Sequence, residues 1–212
     1  MKFSTLPPNI DRTTAEVAAS QIFLLFVLPI TLLYFGVVPI SMRIPVLLTV
    51  ALLMYGIIKK QKWTARDLGI SLKTIRPGLP LYIIWTVIGA LAIVLLSRGL
   101  GMEGTDGWWK NPHFLFVFLA LSFFQEFAFR GFLMPILRRV FPDTFTIILV
   151  NALLFSGMHA IYPLAAIGLP VTFVGGLLWA SLYNKYPNLI LVTASHAVLN
   201  FIIVWYGFFT IG

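Results

Sequence analysis

Hydrophobic residues run along this chain in seven long segments that are separated by short polar connections. Most have about 17 to 23 residues, the length with which a helix crosses hydrocarbon, and the second is shorter. The fifth and sixth are divided only by a turn around Pro163 and Pro170, so one broken or re-entrant element is an alternative. The pattern predicts an all-α, polytopic membrane bundle of about seven helices, within a range of six to eight. The segments run Ala15–Val37, Ile44–Ile58, Leu79–Ser97, Phe114–Leu133, Phe145–Tyr162, Ile167–Tyr183 and Leu189–Phe209.

Composition supports lipid as the solvent for most of the chain. Hydrophobic residues make up 59% of the 212 residues and charged residues only 10%, whereas soluble domains are about 25% charged. The chain has no cysteine, which excludes disulfides and a thiolate-bound zinc site. With no low-complexity linker, we expect residues 1–212 to form a single membrane domain.

The basic residues indicate the orientation of this domain. The longest polar connection, Lys59 to Arg76, holds six of the fifteen Lys and Arg residues. Placing it in the cytoplasm puts eleven basic residues inside, three outside and one, Arg130, within the membrane, as the positive-inside rule requires. The N-terminus is then cytoplasmic and, with seven helices, the C-terminus is outside. The net charge of +8 therefore reflects these connections, and we expect no nucleic-acid partner.

The same connection carries apolar residues between its charges. Trp63, Leu68, Ile70 and Leu72 favour a short element that lies on the membrane surface. An ordinary solvated basic loop is the alternative.

Three of the segments carry polar groups at membrane depth. Glu126 and Arg130 lie four residues apart and therefore share one face of the fourth helix. An ionisable residue in hydrocarbon is costly and marks a functional site by default, although a structural ion pair is the alternative. The candidate site residues are Gln125, Glu126, Arg130, His159, His196 and Asn200.

These residues reach compatible depths. At about 1.5 Å per residue, Glu126 lies roughly 15 Å, His196 roughly 12 Å and His159 roughly 20 Å from the cytoplasmic helix ends. A carboxylate, two imidazoles and an amide suit general acid–base work on water with donors for an oxyanion. A Ser–His–acid triad has no obvious arrangement here, and a buried His or Asn is also common as a hydrogen bond between helices.

Metal chemistry is a competing interpretation of the same groups. Glu126, His159 and His196 would form a His₂–carboxylate zinc set. No His-Glu-x-x-His pattern is present, however, and the three ligands would come from separate helices. We therefore expect no cofactor, with zinc as the alternative.

Three motifs in these segments resemble those of the CPBP family, the CAAX protease and bacteriocin-processing (Abi) intramembrane proteins, which include the Ras-converting CAAX endopeptidases. Gln125 to Gly131 corresponds to the Glu-Glu-x-x-x-Arg-Gly motif, with glutamine at the first position. Phe155 to His159 matches Phe-x-x-x-His, and His196 to Asn200 matches His-x-x-x-Asn. Each motif is weak alone, but their order on three polar-bearing segments is specific. The resemblance covers residues 79–209.

The resemblance implies a fold, an activity and roles for these residues. In the family, the first Glu and the His of the second motif activate water for peptide hydrolysis. His159 would then assist the base, His196 with Asn200 would stabilise the oxyanion, and Arg130 would orient the carboxylates. Gln125 departs from this pattern because a carboxamide cannot take a proton from water. It is an engineered change, a natural variant in which Glu126 or His159 is the base, or the mark of a non-catalytic member.

We expect an intramembrane endopeptidase that acts on a peptide or membrane-protein substrate in the lipid bilayer, in the plasma membrane of a prokaryote. One alternative is a non-catalytic scaffold or immunity protein that binds a partner through the same polar residues. A proton-linked transporter is a second alternative, although no inverted repeat is evident. No oligomeric state is predicted.

Overall fold

The protein is a bundle of helices throughout the part that the computed structural model describes, which is residues 12–104, 107, 110, 112–162 and 164–208. No strand occurs in these residues, which confirms the all-α prediction. Two of the continuous helical spans contain an internal π-helical turn, at Phe23–Val27 and at Phe127–Leu133. The α-helices are α1 (Arg12–Ile22), α2 (Leu28–Tyr34), α3 (Arg43–Lys60), α4 (Ile75–Gly99), α5 (Pro112–Glu126), α6 (Met134–Leu137), α7 (Thr144–Gly157), α8 (Ala165–Lys185) and α9 (Leu189–Trp205).

Five continuous helices in the described residues are long and apolar enough to cross a membrane. The second predicted segment proves longer than expected. A 3-10 turn precedes α3, and Lys59 and Lys60 extend its last turn, so that the helix Ile40–Lys60 has 21 residues. The α9 helix is apolar but shorter, at 17 residues. The five spans are Thr13–Tyr34, Ile40–Lys60, Leu72–Gly99, Thr144–Ile161 and Ala165–Lys185.

The fifth and sixth predicted segments form two separate helices. After α7, a 3-10 turn at Met158–Ile161 ends the first of them, and α8 begins at Ala165. The two helices pack closely because Gly176 lies against Ala152, where an added Cβ would be only 3.1 Å from the Ala152 Cα atom. Helix α9 packs between α4 and α5. This arrangement brings α5, α7, α8 and α9 around one interior.

The bundle separates its apolar and polar side chains in the way that lipid requires. Large apolar side chains such as Leu52, Leu95 and Phe124 point outwards and are exposed, whereas Glu126 and Arg130 have no exposed surface. Hydrocarbon offers polar groups no partners, so these groups must find them inside the bundle. The chain is therefore an integral membrane protein with a polar interior.

The basic connection between α3 and α4 docks on the protein instead of forming a separate surface helix. The Trp63 ring lies 5.5 Å from the Phe132 ring, and Leu68 is buried. The Gly69 carbonyl oxygen accepts a 2.9 Å hydrogen bond from the Leu189 amide at the start of α9. Only Ile70 and Leu72 expose their side chains as a membrane-surface element would. Neither a membrane-surface element nor a solvated loop fully describes this connection. Its partners, Phe132 and Leu189, lie far away in the chain, so the local sequence did not reveal them.

Candidate active site

A π-helical turn follows the helix that carries the buried carboxylate. Helix α5 ends at Glu126, and Phe127–Leu133 continues it with π geometry. Such turns free backbone carbonyls from their usual partners and recur at functional sites. Here the Asn151 side chain of α7 donates a 2.7 Å hydrogen bond to the Phe129 carbonyl oxygen. Asn151 thereby ties the segment containing Arg130 to α7.

The Glu126 carboxylate contacts both the Arg130 guanidinium and the His196 imidazole. Its Oε1 atom lies 2.6 Å from His196 Nδ1 and accepts a 3.2 Å hydrogen bond from Arg130 Nη1. Its Oε2 atom lies 3.2 Å from Arg130 Nε, an ion-pair distance without hydrogen-bond geometry. The four-residue spacing of Glu126 and Arg130 therefore produces the predicted contact, and α9 supplies the third member.

The Arg130 guanidinium is fully buried and is contacted from several sides. Its Nη2 atom donates a 3.2 Å hydrogen bond to the Gly176 carbonyl oxygen of α8. The guanidinium carbon lies 4.5 Å from the centre of the Phe155 ring and 5.8 Å from that of Trp179. Breaking a buried ion pair leaves an uncompensated charge, so each of these contacts supports the others.

His196 contacts the Glu126 carboxylate and the rings of Trp179 and Phe155. Its ring centre lies 4.2 Å from that of Trp179 at an interplanar angle of 32°, and 5.6 Å from that of Phe155. The Trp179 indole is fixed by a 3.0 Å hydrogen bond from Nε1 to Ser195 Oγ. Because a carboxylate only accepts hydrogen bonds, the His196 Nδ1 atom carries a hydrogen. A neutral His196 thus has its lone pair on Nε2.

His159 contacts the Phe155 ring as well. The Phe155 ring centre is 5.1 Å from that of His159, so Phe155 contacts both imidazoles. The His159 Nδ1 atom lies 2.8 Å from the Phe155 carbonyl oxygen. A carbonyl accepts but does not donate, so this nitrogen also carries a hydrogen, and a neutral His159 has its lone pair on Nε2.

Asn200 contacts a residue that sequence reasoning missed. Its Nδ2 atom donates a 3.2 Å hydrogen bond to Ser122 Oγ on α5. Ser122 lies one turn before Glu126 and Asn200 one turn after His196, so α5 and α9 run antiparallel with two polar contacts a turn apart. Asn200 is therefore beside the Glu126 cluster, but does not bind it directly.

Gln125 stands apart from the charged contacts. It is half-buried, and its amide makes no hydrogen bond with the described residues. Its neighbour Glu126 points into the interior, while Phe123 and Phe124 are exposed on the lipid side. The six predicted residues thus divide into a bonded cluster (Glu126, Arg130, His196), two nearby members (His159, Asn200) and Gln125 at its edge.

The aromatic and small residues around the cluster carried no sequence signal. Phe155 was noticed only as a motif residue, and Trp179 resembles any aromatic residue in an apolar helix. Gly176 likewise carries no pattern that marks its carbonyl as a hydrogen-bond acceptor for Arg130. The described residues contain no group of three or more His, Asp and Glu side chains that could hold a metal ion.

Fold and site together define a polytopic helical membrane protein with an acid–base centre buried among its helices. Residues 107–202 match the family model described as type II CAAX prenyl endopeptidase Rce1-like. The matched region contains all six candidate residues, and the family that it matches is one of intramembrane CAAX proteases within the wider CPBP group. No curated protein and no solved structure matches the chain.

Proposed function

We propose that this protein is an intramembrane endopeptidase that hydrolyses a peptide bond near the cytoplasmic side of the bilayer. The observation that carries the proposal is the buried Glu126–Arg130–His196 cluster inside a region that matches a protease family model. A structural ion pair needs only Glu126 and Arg130. The added imidazole and the nearby His159 supply groups that can exchange protons, which hydrolysis needs.

In this proposal His159 takes the proton from the attacking water and passes it to the leaving amine nitrogen as the C–N bond breaks. Gln125, at the family's first Glu position, has no useful basicity. Both Glu126 oxygens are engaged by Arg130 and His196. His159 Nδ1 is directed at the Phe155 carbonyl oxygen and carries the hydrogen, so the basic lone pair of a neutral His159 is on Nε2.

His196 and Asn200 stabilise the negative charge that develops on the substrate carbonyl oxygen. His196 donates from Nε2 in its doubly protonated form, in which Nδ1–H faces the Glu126 carboxylate. Asn200 adds an amide N–H from the next turn of α9. Arg130 offsets the carboxylate charge while the proton moves.

A variant panel tests this assignment. Purified protein is incubated with peptides that end in a CAAX sequence, with and without a prenyl group, and mass spectrometry identifies the products. We expect cleavage by the native chain, its loss in His159→Gln, and a rate roughly 10²–10³ lower in Asn200→Ala, the effect of removing one oxyanion donor. Gln125→Glu should raise the rate, because it restores a carboxylate where the family has its base.

A non-catalytic membrane scaffold is the second candidate, and Gln125 is the observation that favours it. Binding a partner needs no general base, so capture would survive His159→Gln. Equal background in native, Gln125→Glu and His159→Gln proteins would reject the hydrolase. Activity in Gln125→Glu alone would identify the native chain as a protease fold that glutamine has silenced.

A further inference from the structure

The cytoplasmic end of the bundle, as oriented above, concentrates nearly all of the net charge. The loop after α3, the turn before α7 and the end of α8 together carry nine Lys and Arg residues against two Asp residues. These three segments contact one another: Arg139 lies over the Trp63 ring, and Arg138 bonds Asn184. The basic residues are Lys59, Lys60, Lys62, Arg66, Lys73, Arg76, Arg138, Arg139 and Lys185.

The two carboxylates at this end, Asp67 and Asp143, each accept hydrogen bonds from a residue three positions away. Asp67 Oδ2 accepts 2.7 Å hydrogen bonds from the Thr64 amide and hydroxyl. Asp143 Oδ1 accepts a 2.7 Å bond from the Thr146 amide at the start of α7. Neither carboxylate forms an ion pair with Arg139 in the described residues, so the surface keeps its positive charge.

Within this surface, Arg139 packs on an aromatic ring. It is half-buried, and its guanidinium carbon lies 5.4 Å from the centre of the Trp63 ring. Within the described residues it has no carboxylate partner and its side chain donates no hydrogen bond. Burial lowers the pKa of Arg139, which shows that its charge is desolvated without a compensating anion. Such a guanidinium offers a fork of N–H donors that fits a phosphate bidentately.

Exposed apolar side chains on the same basic segments decide which kind of phosphate fits. Phe145, two residues after Asp143, is 74% exposed, and Leu72, beside Lys73, is 77% exposed. A free anion would gain nothing from these side chains, whereas a phospholipid places acyl chains beside its headgroup. From this geometry we infer that Arg139, backed by Trp63, binds the phosphodiester of an anionic phospholipid at the membrane boundary.

Thermal unfolding of the purified protein in detergent tests the site. Phosphatidylglycerol and phosphatidylcholine are added at equal mole fraction to the native chain, to Arg139→Gln and to Arg98→Gln, an exposed arginine at the opposite end of α4. We expect phosphatidylglycerol to raise the midpoint more than phosphatidylcholine does. This excess should fall by at least half in Arg139→Gln and stay unchanged in Arg98→Gln.

Three results would overturn the inference. They are an undiminished excess in Arg139→Gln, an equal loss in Arg98→Gln, and a shift of the same size produced by inorganic phosphate alone. If Arg139→Gln does not fold, Arg139→Lys provides the comparison, since it keeps the charge but loses the planar fork. The excess rise in the unfolding midpoint with phosphatidylglycerol should be smaller in Arg139→Lys than in the native chain. An equal excess in the two proteins would contradict a bidentate phosphate site.

Discussion

Glu126 and Arg130 depend on each other for their burial, because neither has any exposed surface. Replacing Glu126 by Gln keeps the shape of the side chain but removes the charge that faces the guanidinium. We expect the free energy of unfolding to fall by about 3–5 kcal/mol, the cost of leaving one member of a buried pair unpaired. Unfolding by dodecyl sulfate in mixed micelles measures this loss.

Two comparisons make the Glu126→Gln measurement specific. Glu103→Gln removes a carboxylate from an exposed position and should change stability by at most about 0.5 kcal/mol. The double variant Glu126→Gln/Arg130→Met should lose less unfolding free energy than its two single variants lose in sum, because both charges are removed together. Additive losses would show that the two side chains are not coupled.

Sequence reasoning reached the centre of the site but not its surroundings. The four-residue spacing predicted the contact between Glu126 and Arg130, and matching depths suggested that His196 approaches them. The Ser122 contact of Asn200 was not predicted, because it depends on the rotation of α5 relative to α9. Helix rotation follows from side-chain packing across the bundle, which no local pattern records.

At the scale of elements, the close approach of α7 and α8 holds the site together. Gly176 permits this approach and also accepts the hydrogen bond from Arg130. We expect Gly176→Ala to destabilise the protein by about 1–3 kcal/mol, the usual cost of overpacking. Its Cβ would lie 3.1 Å from a backbone atom of Ala152, which cannot rotate out of the way.

A matched control is Gly56→Ala in α3. No atom lies within 4 Å of the position that its Cβ would take, so the substitution should leave stability unchanged or raise it by up to about 1 kcal/mol through helix propensity. The same micelle unfolding measurement applies to both variants. Equal losses in the two variants would contradict the packing explanation.

The positions of the helices were largely predictable from hydrophobic runs, whereas irregularities within them were not. Apolar length located the long helices of the described residues, but missed the extension of the second predicted segment back to Ile40. The π-helical turn after Glu126 has no local signature. It is supported by Asn151 from another helix, a partner that is known only once the chain has folded.

At the scale of the whole molecule, the distribution of charge predicts the topology. The native chain has no cysteine, so single cysteines placed at Arg66 and Leu100 report on opposite ends of α4. Both side chains are exposed. A membrane-impermeant maleimide should label the cysteine at position 66 only in inside-out vesicles and that at position 100 only in right-side-out vesicles. The reverse pattern would refute the cytoplasmic placement of the basic loop.

Hydrolysis inside the membrane is the central claim, and heavy-oxygen incorporation tests it most directly. The native protein is reconstituted in liposomes with a prenylated CAAX peptide in H₂¹⁸O, and the products are weighed by mass spectrometry. We predict that one heavy oxygen atom appears in the new C-terminal carboxylate during cleavage, and that His159→Gln yields no labelled product. Intact peptide with the native chain, or the same labelled product with His159→Gln, would contradict the account.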